Sequence, residues 1–425
     1  MYAQMKVLML GWELPPLYAG GIGMVCYDLL KELGAQDTQV TYVMPFGPNN
    51  LETPKSPYTK KLTRIISAQG YAPKITNVTV KTIPTLIHAY QSPDQYSQEI
   101  QHITETTYGS QEPWVKKKLY GKDLFQEVDI FAKRIYSFAE DLDFDVVHAH
   151  DWMTFPAATG VADKTGKKFI AHVHNTIFDR YLGNASQHER DIEYNGLLRA
   201  DKIIAISHLI KNRIMNDYGI NGDKIHVIHN APNSLLRENP VKPESVDIAQ
   251  GNVVLFTGRI TIQKGPEYFV QCAKKVLEVE PDTTFVMAGS GDMLNRMIDL
   301  AARENIGHKF LFTGFYNMAQ AKALYSRADC YVMPSVSEPF GIVPLEAMDH
   351  GTPTIVSKTS GCSEVLRHTL KCDFWDTKSM ANQVVSVLRY KELKQSLSTH
   401  GQREVQAMNW EKPTRQCIDV YNSLI

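Results

Sequence analysis

Short apolar runs alternate with segments of helical periodicity along most of the chain. Most of the runs are rich in β-branched residues and apolar along their whole length, as expected of parallel strands buried on both faces. The helical segments between them predict an α/β fold with parallel sheets. The predicted strands are residues 6–10, 39–44, 78–83, 146–148, 168–172, 202–206, 224–228, 252–257, 284–288, 309–312, 329–333 and 353–357.

The chain has 425 residues, which is too long for a single hydrophobic core, so two domains are predicted. The segment 230–247 is rich in Pro, Asn and Glu and has no apolar period, which is typical of a linker. We therefore expect a first Rossmann-like domain over residues 1–235 and a second over 236–405. The tail, residues 410–425, has the apolar spacing of a helix.

Composition and charge narrow the class of protein. The formal net charge is −1, which gives no general electrostatic reason to expect nucleic acid or a membrane surface as a partner. The six cysteines are scattered and several lie in apolar runs, as expected of reduced thiols in a cytoplasmic protein. No stretch is long enough to span a bilayer, and the first apolar run is too short for a signal peptide. The basic segment 114–118 is interpreted as a solvated helix face outside the site.

Glycines and a carboxylate follow the first predicted strand. Glu13 comes soon after this strand, and Gly20 and Gly21 precede a predicted helix over residues 24–33, with Gly34 as its C-terminal cap. Ligands of open α/β sheets bind beyond the carboxyl ends of the strands. A glycine cluster that opens a helix can admit an oxyanion or a sugar close to the backbone, although a tight turn alone would also use glycines.

Two further strand ends carry alternating histidines. His148 and His150 precede Asp151, and His172 and His174 end the next strand and precede an Asn. Alternating residues share one face of a strand, so histidine pairs with Asp151 could bind zinc. The alternative is that His148 and His172 pack into the sheet while His150 and His174 face the cleft. The sequence favours this alternative, because no separate cluster completes the ligand set of a metal-dependent hydrolase.

The second predicted domain begins with a strand that leads into Gly258, Arg259 and Lys264. An arginine and a lysine just past a strand end can stabilise growing negative charge on a leaving diphosphate without a metal. Gly289 and Gly314 end the next two strands, where a glycine lets a base or a phosphate approach the backbone.

The most informative segment is 337–348, Ser-Glu-Pro-Phe-Gly-Ile-Val-Pro-Leu-Glu-Ala-Met. It predicts a strand end, a turn and a helix start, and the unpaired N–H groups of a helix start can hold a phosphate. Gly341 allows a ligand to approach the backbone closely. The carboxylates of Glu338 and Glu346 would repel a phosphate, so hydroxyls are their natural partners. A ligand with both phosphates and hydroxyls is a sugar nucleotide.

Glu338 and Glu346, with Phe340 and Gly341 between them, resemble the Glu-x₇-Glu motif of the retaining glycosyltransferases of family four. These sugar-nucleotide enzymes have the GT-B fold and are close to glycogen and starch synthases. The resemblance covers both ends of the chain and most strand-end loops, and it is weakest over residues 46–143. Starch and bacterial glycogen synthases carry a Lys just before the first glycine cluster, where this chain has Tyr18 and Ala19. That departure favours family four.

The resemblance implies roles for individual residues. The implied catalytic residues are His150, Arg259, Lys264 and Glu338. The implied donor-binding residues are Gly258, Gly289, Gly314, Phe340, Gly341, Ile342, Val343 and Glu346. The implied acceptor and sugar side consists of Glu13, Gly20, Gly21, Asp151, His174 and Asn175. In the resembling fold the last helix, here residues 406–425, crosses back to the first domain.

The implied reaction transfers a hexose, with ADP-glucose or UDP-glucose as the expected donor, to a carbohydrate acceptor such as an α-glucan. The anomeric configuration is retained, and no metal or other cofactor is expected. GT-B folds also host sugar-nucleotide epimerases and phosphorylases, so these activities remain alternatives, although no pyridoxal-binding Lys of a phosphorylase can be identified. A protein that binds a sugar nucleotide without turnover is the third alternative.

Overall fold

The computed structural model describes residues 4–14, 21–46, 64–66, 77–84, 124–181, 186–238 and 251–425. Two β-sheets, one of eight strands and one of six, organise this part of the chain. Helices connect most successive strands, so the predicted α/β class with two Rossmann-like halves is confirmed. The basic segment 114–118 lies outside the described residues.

The first sheet has the strand order β3-β4-β2-β1-β5-β6-β7-β8. Its pairs are parallel except for β3, which is antiparallel to β4. The strand order reverses at β1, which lies between β2 and β5, and ligands of open α/β sheets bind at such a switch point. The strands are β1 Lys6–Leu10, β2 Gln39–Phe46, β3 Arg64–Ile66, β4 Val78–Pro84, β5 Val146–His150, β6 Lys168–Val173, β7 Lys202–Ala205 and β8 Ile225–Val227.

The second sheet has the order β11-β10-β9-β12-β13-β14 and is parallel throughout. Its order reverses at β9, between β10 and β12. The strands are β9 Asn252–Thr257, β10 Thr283–Ala288, β11 Phe310–Gly314, β12 Cys330–Met333, β13 Thr354–Ser357 and β14 Leu370–Cys372. The sequence pattern missed β3 and β14, because three residues are too few to show a period.

Helices pack on the sheets through apolar stripes. Those of the first half are α1 Gly21–Ala35, α2 Leu124–Ala139, α3 Phe155–Thr165, α4 Ile177–Tyr181, α5 Gln187–Arg199, α6 His208–Tyr218 and α7 Ser234–Glu238. Those that follow are α8 Pro266–Leu277, α9 Leu294–Arg303, α10 Met318–Arg327, α11 Ile342–Asp349, α12 Cys362–Val365, α13 Thr377–Arg389, α14 Lys391–Gln406 and α15 Glu411–Asn422. Among the described helices, none combines the length and the apolar character needed to cross a membrane.

Helix α1 ends later than the sequence predicted. Gly34 lies inside the helix and is not its cap, so that prediction is wrong. The left-handed residue is Asp37, with φ of 58°, and the N–H of Thr38 donates to the carbonyl of Leu33 at 3.0 Å. Asp tolerates the left-handed region better than most residues, because its short polar side chain can hydrogen-bond locally. Gly34 is buried in the helix, where a small residue also fits.

The predicted linker is partly helical. Helix α7 forms inside the segment 230–247, and the Asn233 side chain caps it by accepting from the N–H of Leu235 at 2.9 Å. Arg237 pairs with Asp349 of α11 at 2.8 Å and donates to the carbonyl of Val405 at 2.7 Å. The N–H of Ser234 donates to Asp28 of α1 at 3.2 Å, so the described part of the segment is bonded to both halves. Residues 239–250 lie outside the described chain.

The C-terminal helix α15 packs against α1 of the first half. It buries Cys417, Val420 and Tyr421, the side that the apolar spacing indicated. Just before the helix, the indole N–H of Trp410 donates to the carbonyl of Pro232 at 3.0 Å. Trp410 thus joins the start of the last helix to the segment between the two sheets.

Replacement of Trp410 by Ala should lower the free energy of unfolding by about 3–5 kcal/mol, because it removes a buried aromatic side chain and its hydrogen bond. Trp375→Ala is the matched control, since Trp375 is 60% exposed, and it should change stability far less. Urea denaturation of both variants measures the difference. Equal losses would contradict a supporting role for Trp410.

Candidate active site

The predicted site residues of the first half gather at the carboxyl ends of β1, β5 and β6. Glu13 is buried, and its Oε1 accepts from the N–H of Gly23 at 2.9 Å, in the first turn of α1. The hydroxyl of Tyr42 donates to the Glu13 carbonyl at 2.9 Å. Glu13 therefore holds the glycine-rich helix start in place. Gly21 opens α1, whereas Gly20 lies outside the described residues.

Four histidines form one buried stack at the ends of β5 and β6. Neighbouring rings are 4.3–5.1 Å apart between centroids. His150 Nδ1 is hydrogen-bonded to His174 Nε2 at 2.7 Å, and His148 Nε2 to His172 Nδ1 at 3.0 Å. His148 Nδ1 contacts the hydroxyl of Tyr421 at 2.7 Å, which links the stack to α15. The expected division, with His148 and His172 in the sheet and the others facing a cleft, stays a prediction. All four rings are buried on one face of the sheet, and both ring nitrogens of His148 have hydrogen-bond partners.

Burial makes these histidines neutral. It lowers the pKa of His148 and of His174 to about 3, and it holds the pKa of His150 and of His172 well below the ordinary value. A neutral imidazole offers one donor and one acceptor, so paired rings can satisfy each other without charge. The first half of the site is thus polar but uncharged at its histidines.

Asp151 stands directly after this stack in a strained conformation, with φ of 56°. Its Oδ1 accepts from the backbone N–H of His174 at 2.6 Å and of Asn175 at 3.4 Å. Burial raises the pKa of Asp151 to about 7. Strain of this kind at a strand end is typical of functional sites.

Among the stacked histidines, Asp151 and Asn175, five buried polar atoms have no hydrogen-bond partner within the part of the chain that the structure describes. They are His150 Nε2, Asp151 Oδ2, His172 Nε2, His174 Nδ1 and Asn175 Oδ1. Buried polar groups in proteins are nearly always hydrogen-bonded, so a cluster of five is exceptional. Together they can serve a ligand that both donates and accepts hydrogen bonds.

A metal fits this cluster poorly. Ligand atoms of His148, His150 and His172 lie within 4.8 Å of one another. Both ring nitrogens of His148 are already hydrogen-bonded, to Tyr421 and to His172. A metal ion would have to break one of these bonds inside a buried stack.

The second half of the site is built around an ion pair between Lys264 and Glu338. Glu338 is 6% exposed and also accepts from the hydroxyl of Ser335 at 3.2 Å. Arg259 lies two residues past the end of β9. The structure therefore brings the lysine and the loop glutamate of the predicted site into direct contact.

The turn that carries Lys264, Ile262–Lys264, is fastened to the loop that carries Glu338. The carbonyl of Gln263 accepts from the N–H of Val336 at 2.9 Å. Gly265 has φ of 62°, and a Cβ at this position would lie 2.2 Å from the carbonyl oxygen of Pro334. Only glycine permits such close packing of the two backbones.

The strand-end glycines differ in their surroundings. Gly258 and Gly314 have positive φ, and a Cβ on either would meet nothing within 4 Å among the described atoms. Gly289 is packed instead, because a Cβ there would lie 1.8 Å from the carbonyl oxygen of Gly258. Beside Gly314, Phe315 is 85% exposed, and it was not among the predicted site residues. An aromatic residue directly after a strand-end glycine was the available signal.

Helix α11 begins at the other side of this loop. Gly341 occupies the N-cap position with φ of 94°, and no side chain caps the helix. Ile342 and Val343 form its partly exposed first turn, while Phe340 is buried. Since the first N–H groups of a helix have no intrahelical partner, this start suits an anionic group.

Glu346 lies one turn into α11. Its carboxylate accepts from the hydroxyl of Tyr325 at 3.0 Å and from the side-chain amide of Asn233 at 3.4 Å. Burial raises the pKa of Glu346 to about 7. The structure thus places it against groups of α10 and of the segment between the sheets.

Two polar contacts join the halves of the site. Asp179 of α4 is fully buried, accepts from the Ser337 hydroxyl and pairs with Arg213 at 3.1 Å. The hydroxyl of Ser207 donates to the carbonyl of Pro339 at 2.7 Å. Sequence reasoning missed Asp179, because no local pattern distinguishes it from other helical carboxylates.

Folding stability should depend on pH through Asp151 and His148 with opposite signs. Asp151 has a raised pKa, so the folded protein keeps a proton that the unfolded chain releases, and stability is lost as the pH rises towards about 7. Relative to Asp151→Asn, the wild-type protein should therefore become more stable as the pH falls from about 7. The difference in the free energy of unfolding should grow by at most about 1.4 kcal/mol per pH unit. His148 has a lowered pKa, so below a pH of about 6.5 the unfolded chain takes up a proton that the folded protein does not. Relative to His148→Gln, the wild-type protein should therefore become less stable as the pH falls below that value.

Urea denaturation of the three proteins between about pH 5 and 8 measures both differences. Each variant serves as the control for the other, because both substitutions lie in the same buried cluster. If the stability difference between wild type and variant changes with pH in the same way for both variants, these groups do not titrate as their burial requires.

Two family models match consecutive parts of the chain. Residues 107–233 match Glycosyltransferase Family 4, and residues 240–404 match Glycosyl transferases group 1. The matches meet between the two sheets, so each half of the architecture has its own match.

Relatives of similar length agree with these matches. An uncharacterized glycosyltransferase of Methanocaldococcus jannaschii is 27% identical, over 98% of this chain and 98% of its own length. The glycogen synthase of Mycobacterium tuberculosis is 25% identical, over 90% of this chain and 86% of its own length.

Solved structures show the same fold across their whole length. Sucrose-phosphate synthase of Thermosynechococcus elongatus has a TM-score of 0.72 at 19% identity, covering 99% of both chains. Anabaena HepE in complex with UDP and glucose has a TM-score of 0.69 at 16% identity, covering 99% of this chain and 100% of its own. The catalytic domain of starch synthase IV of Arabidopsis thaliana, bound to ADP and acarbose, has a TM-score of 0.68 at 14% identity, covering 99% of both.

These likenesses establish the GT-B fold, and the two family matches together span most of the chain. The protein is therefore a glycosyltransferase with the GT-B fold, an enzyme of the hexosyltransferase class that combines a Family 4 half with a group 1 half and is similar to a glycogen synthase.

Proposed function

We propose that this enzyme transfers glucose from a nucleoside diphosphate sugar, ADP-glucose or UDP-glucose, to a hydroxyl of a carbohydrate acceptor such as an α-glucan. The anomeric configuration is retained, and no metal takes part. The observation that carries the proposal is the cluster of five buried polar atoms at the ends of β5 and β6 that have no hydrogen-bond partner among the described residues. Sugar hydroxyls both donate and accept, so they match a set of imidazole, carboxylate and amide atoms.

Charge distribution supports a donor with a diphosphate. The histidines of the first half are neutral, whereas Lys264 pairs with Glu338, whose Cγ would lie 3.1 Å from a Cβ at Gly341, the N-cap of α11. On binding, Lys264 turns from Glu338 to the diphosphate, and Glu338 turns to the sugar hydroxyls. Arg259 is the second cation, and the open backbone at Gly258 lets a phosphate approach.

The nucleoside lies along β11 and α11 in this proposal. Phe315 offers an exposed ring on which a base can stack, next to the open backbone of Gly314. Glu346 accepts from the ribose hydroxyls in place of its present contact with Asn233. Anabaena HepE and starch synthase IV carry UDP and ADP in their solved structures, which supports a nucleoside diphosphate and leaves both bases as candidates.

Catalysis follows from where charge develops. The bond between the sugar carbon and the diphosphate breaks, and the acceptor oxygen bonds to the same face of that carbon. The leaving phosphate takes the acceptor proton, and Arg259 and Lys264 stabilise its growing charge. His150, which is neutral, holds the sugar near the reacting carbon through its unpartnered Nε2.

A donor screen tests the function directly. The enzyme is mixed with ADP-glucose, UDP-glucose and other nucleoside diphosphate sugars in the presence of a chelator, and labelled transfer to a glucan primer is measured. Transfer with an α-linked product supports the proposal. Release of free phosphorylated sugar, an epimerised donor, or loss of activity that is restored by Mn²⁺ or Mg²⁺ would contradict it.

Loss of either cation should lower turnover by about 10²–10³-fold, since one transition-state donor contributes about 3–4 kcal/mol. Arg259→Ala should remain folded, because Arg259 lies in a polar loop. Lys264→Ala also leaves the buried Glu338 carboxylate without its partner, so it should lower stability, and the rates of both variants are measured at a temperature where each is shown to be folded. Lys358→Ala is the control, since Lys358 pairs with Asp373 at 2.9 Å on the exposed surface of the same domain. Single-turnover rates with saturating donor measure the effect, and wild-type rates in both loop variants would refute the assignment.

Substitutions of the two glutamates should change different steady-state constants. Glu346 contacts the ribose, far from the breaking bond, so Glu346→Gln should mainly raise the donor KM. Glu338 contacts the sugar, so Glu338→Gln should lower kcat more than it raises KM. If Glu346→Gln abolishes kcat while Glu338→Gln only weakens donor binding, the sugar lies at the other carboxylate.

A further inference from the structure

A second group of metal-ligating side chains lies where the two halves of the protein touch, apart from the residues assigned to catalysis. His208 begins α6, just after β7, and His229 follows β8. Glu364 belongs to α12 of the second half. One ligand atom from each of the three side chains lies within 4.8 Å of the others.

Glu364 is held in position by the first half of the protein. Its two carboxylate oxygens accept from the backbone N–H groups of His208 and Leu209, each at 2.8 Å, so it caps the start of α6 from across the interface. His229 Nε2 lies 2.8 Å from Glu364 Oε2. Two of the three ligands are therefore already in contact. The third side chain, His208, is exposed, and its ring centroid is 5.9 Å from that of His229.

Two imidazoles and one carboxylate are a ligand set that zinc uses when three protein ligands leave one position open for water. Ligand atoms around a tetrahedral zinc ion are about 3.4 Å apart. The 2.8 Å between His229 Nε2 and Glu364 Oε2 must therefore lengthen by about 0.6 Å, and the separations from His208, which are at most 4.8 Å, must shorten by up to about 1.4 Å. Rotation of the exposed His208 side chain can supply that movement. A metal ion bound through His229 Nε2 and Glu364 Oε2 replaces the proton between them, and that proton is released to solvent.

We propose that His208, His229 and Glu364 bind a transition-metal ion of the zinc class, and that the bound ion ties the two domains together. The buried stack of His148, His150 and His172 is a weaker candidate, because both nitrogens of His148 are occupied by hydrogen bonds. Here the side chains of His229 and Glu364 are 28% and 21% exposed and His208 is exposed, so an ion can enter without unfolding the site.

The consequence of binding follows from the position of the ligands. His208 and His229 belong to the first domain and Glu364 to the second, so opening of the cleft must break at least one metal bond. The ring of His229 lies 6.1 Å from that of Phe340, in the loop that carries Glu338. The ion therefore holds this loop against the first domain, and it should slow the domain movements that admit donor and release product.

Metal binding can be measured without any assay of transfer, so a failure here is distinct from a failure of the proposed function. Co²⁺ is the probe, because its visible absorption reports the number and geometry of its ligands, and Zn²⁺ should displace it. The decisive variant is His208→Ala, since Glu364 bonds to the backbone of His208 and that bond survives the substitution. Loss of one of three ligands should weaken binding by at least about 10–100-fold, the range that even outer-shell partners reach.

The chain offers a matched control. The ring centroids of His400 and His368 are 5.4 Å apart, and His368 Nδ1 lies 3.0 Å from Glu404 Oε2. This surface therefore also has two histidines and a carboxylate, all on the second domain. His400→Ala should bind Co²⁺ as the wild type does. Wild-type affinity in His208→Ala, or equal losses in both variants, would overturn the proposed site.

The tie between the domains has its own test. Small-angle scattering of the wild-type enzyme should give a narrower and smaller distribution of sizes with saturating Zn²⁺, and the change should be absent in His208→Ala and reversed by a chelator. Glu364→Gln should also abolish it. Scattering that is unchanged by Zn²⁺ in the wild type would show that the ion does not join the domains.

Discussion

The arrangement of the site depends on the ion pair between Lys264 and Glu338. Both groups lie largely out of water, and removal of one partner from such a pair is costly because it leaves the other charge uncompensated. The pair therefore holds the turn Ile262–Lys264 against the loop before α11 while no ligand is present. In the proposed complex, phosphate charge compensates Lys264 and sugar hydroxyls satisfy Glu338, so neither group is left without a partner.

The same loop also makes two contacts between the domains. Ser337 donates to Asp179 and Pro339 accepts from Ser207, on either side of Glu338. Any movement of Glu338 that accompanies donor binding must act on these neighbouring contacts, since the loop is short and its backbone is packed. In the proposed complex, donor binding and domain closure would therefore be coupled through contiguous residues of this loop.

The first domain contributes a different kind of surface. Its four stacked histidines are neutral because burial opposes their charged forms, and the adjacent Asp151 has a raised pKa for the same reason. A surface of this kind suits hydroxyl groups and does not compete for a diphosphate. The positive field of the site is left to the second domain, where Lys264 and the start of α11 lie together.

The strands and most of the strand-end residues could be predicted from sequence, because buried parallel strands need continuous apolar runs and ligand-binding residues follow them. The pattern also identified the loop between β12 and α11 and the apolar side of α15. It failed at β3 and β14, which are too short to show a period, and at Gly34, where Asp37 takes the left-handed position instead.

Other features depend on residues that are distant in sequence, and no local pattern could contain them. Asp179 looks like an ordinary helical carboxylate until the fold sets it against Ser337, which follows it by 158 residues. The histidines of β5 and β6 were visible as pairs, but only the pairing of the two strands stacks them on one face and removes them from water. Functional residues that lie within one strand or one turn can be identified from the order of the residues. Burial, charge state and contacts across the domains arise only when the chain has folded.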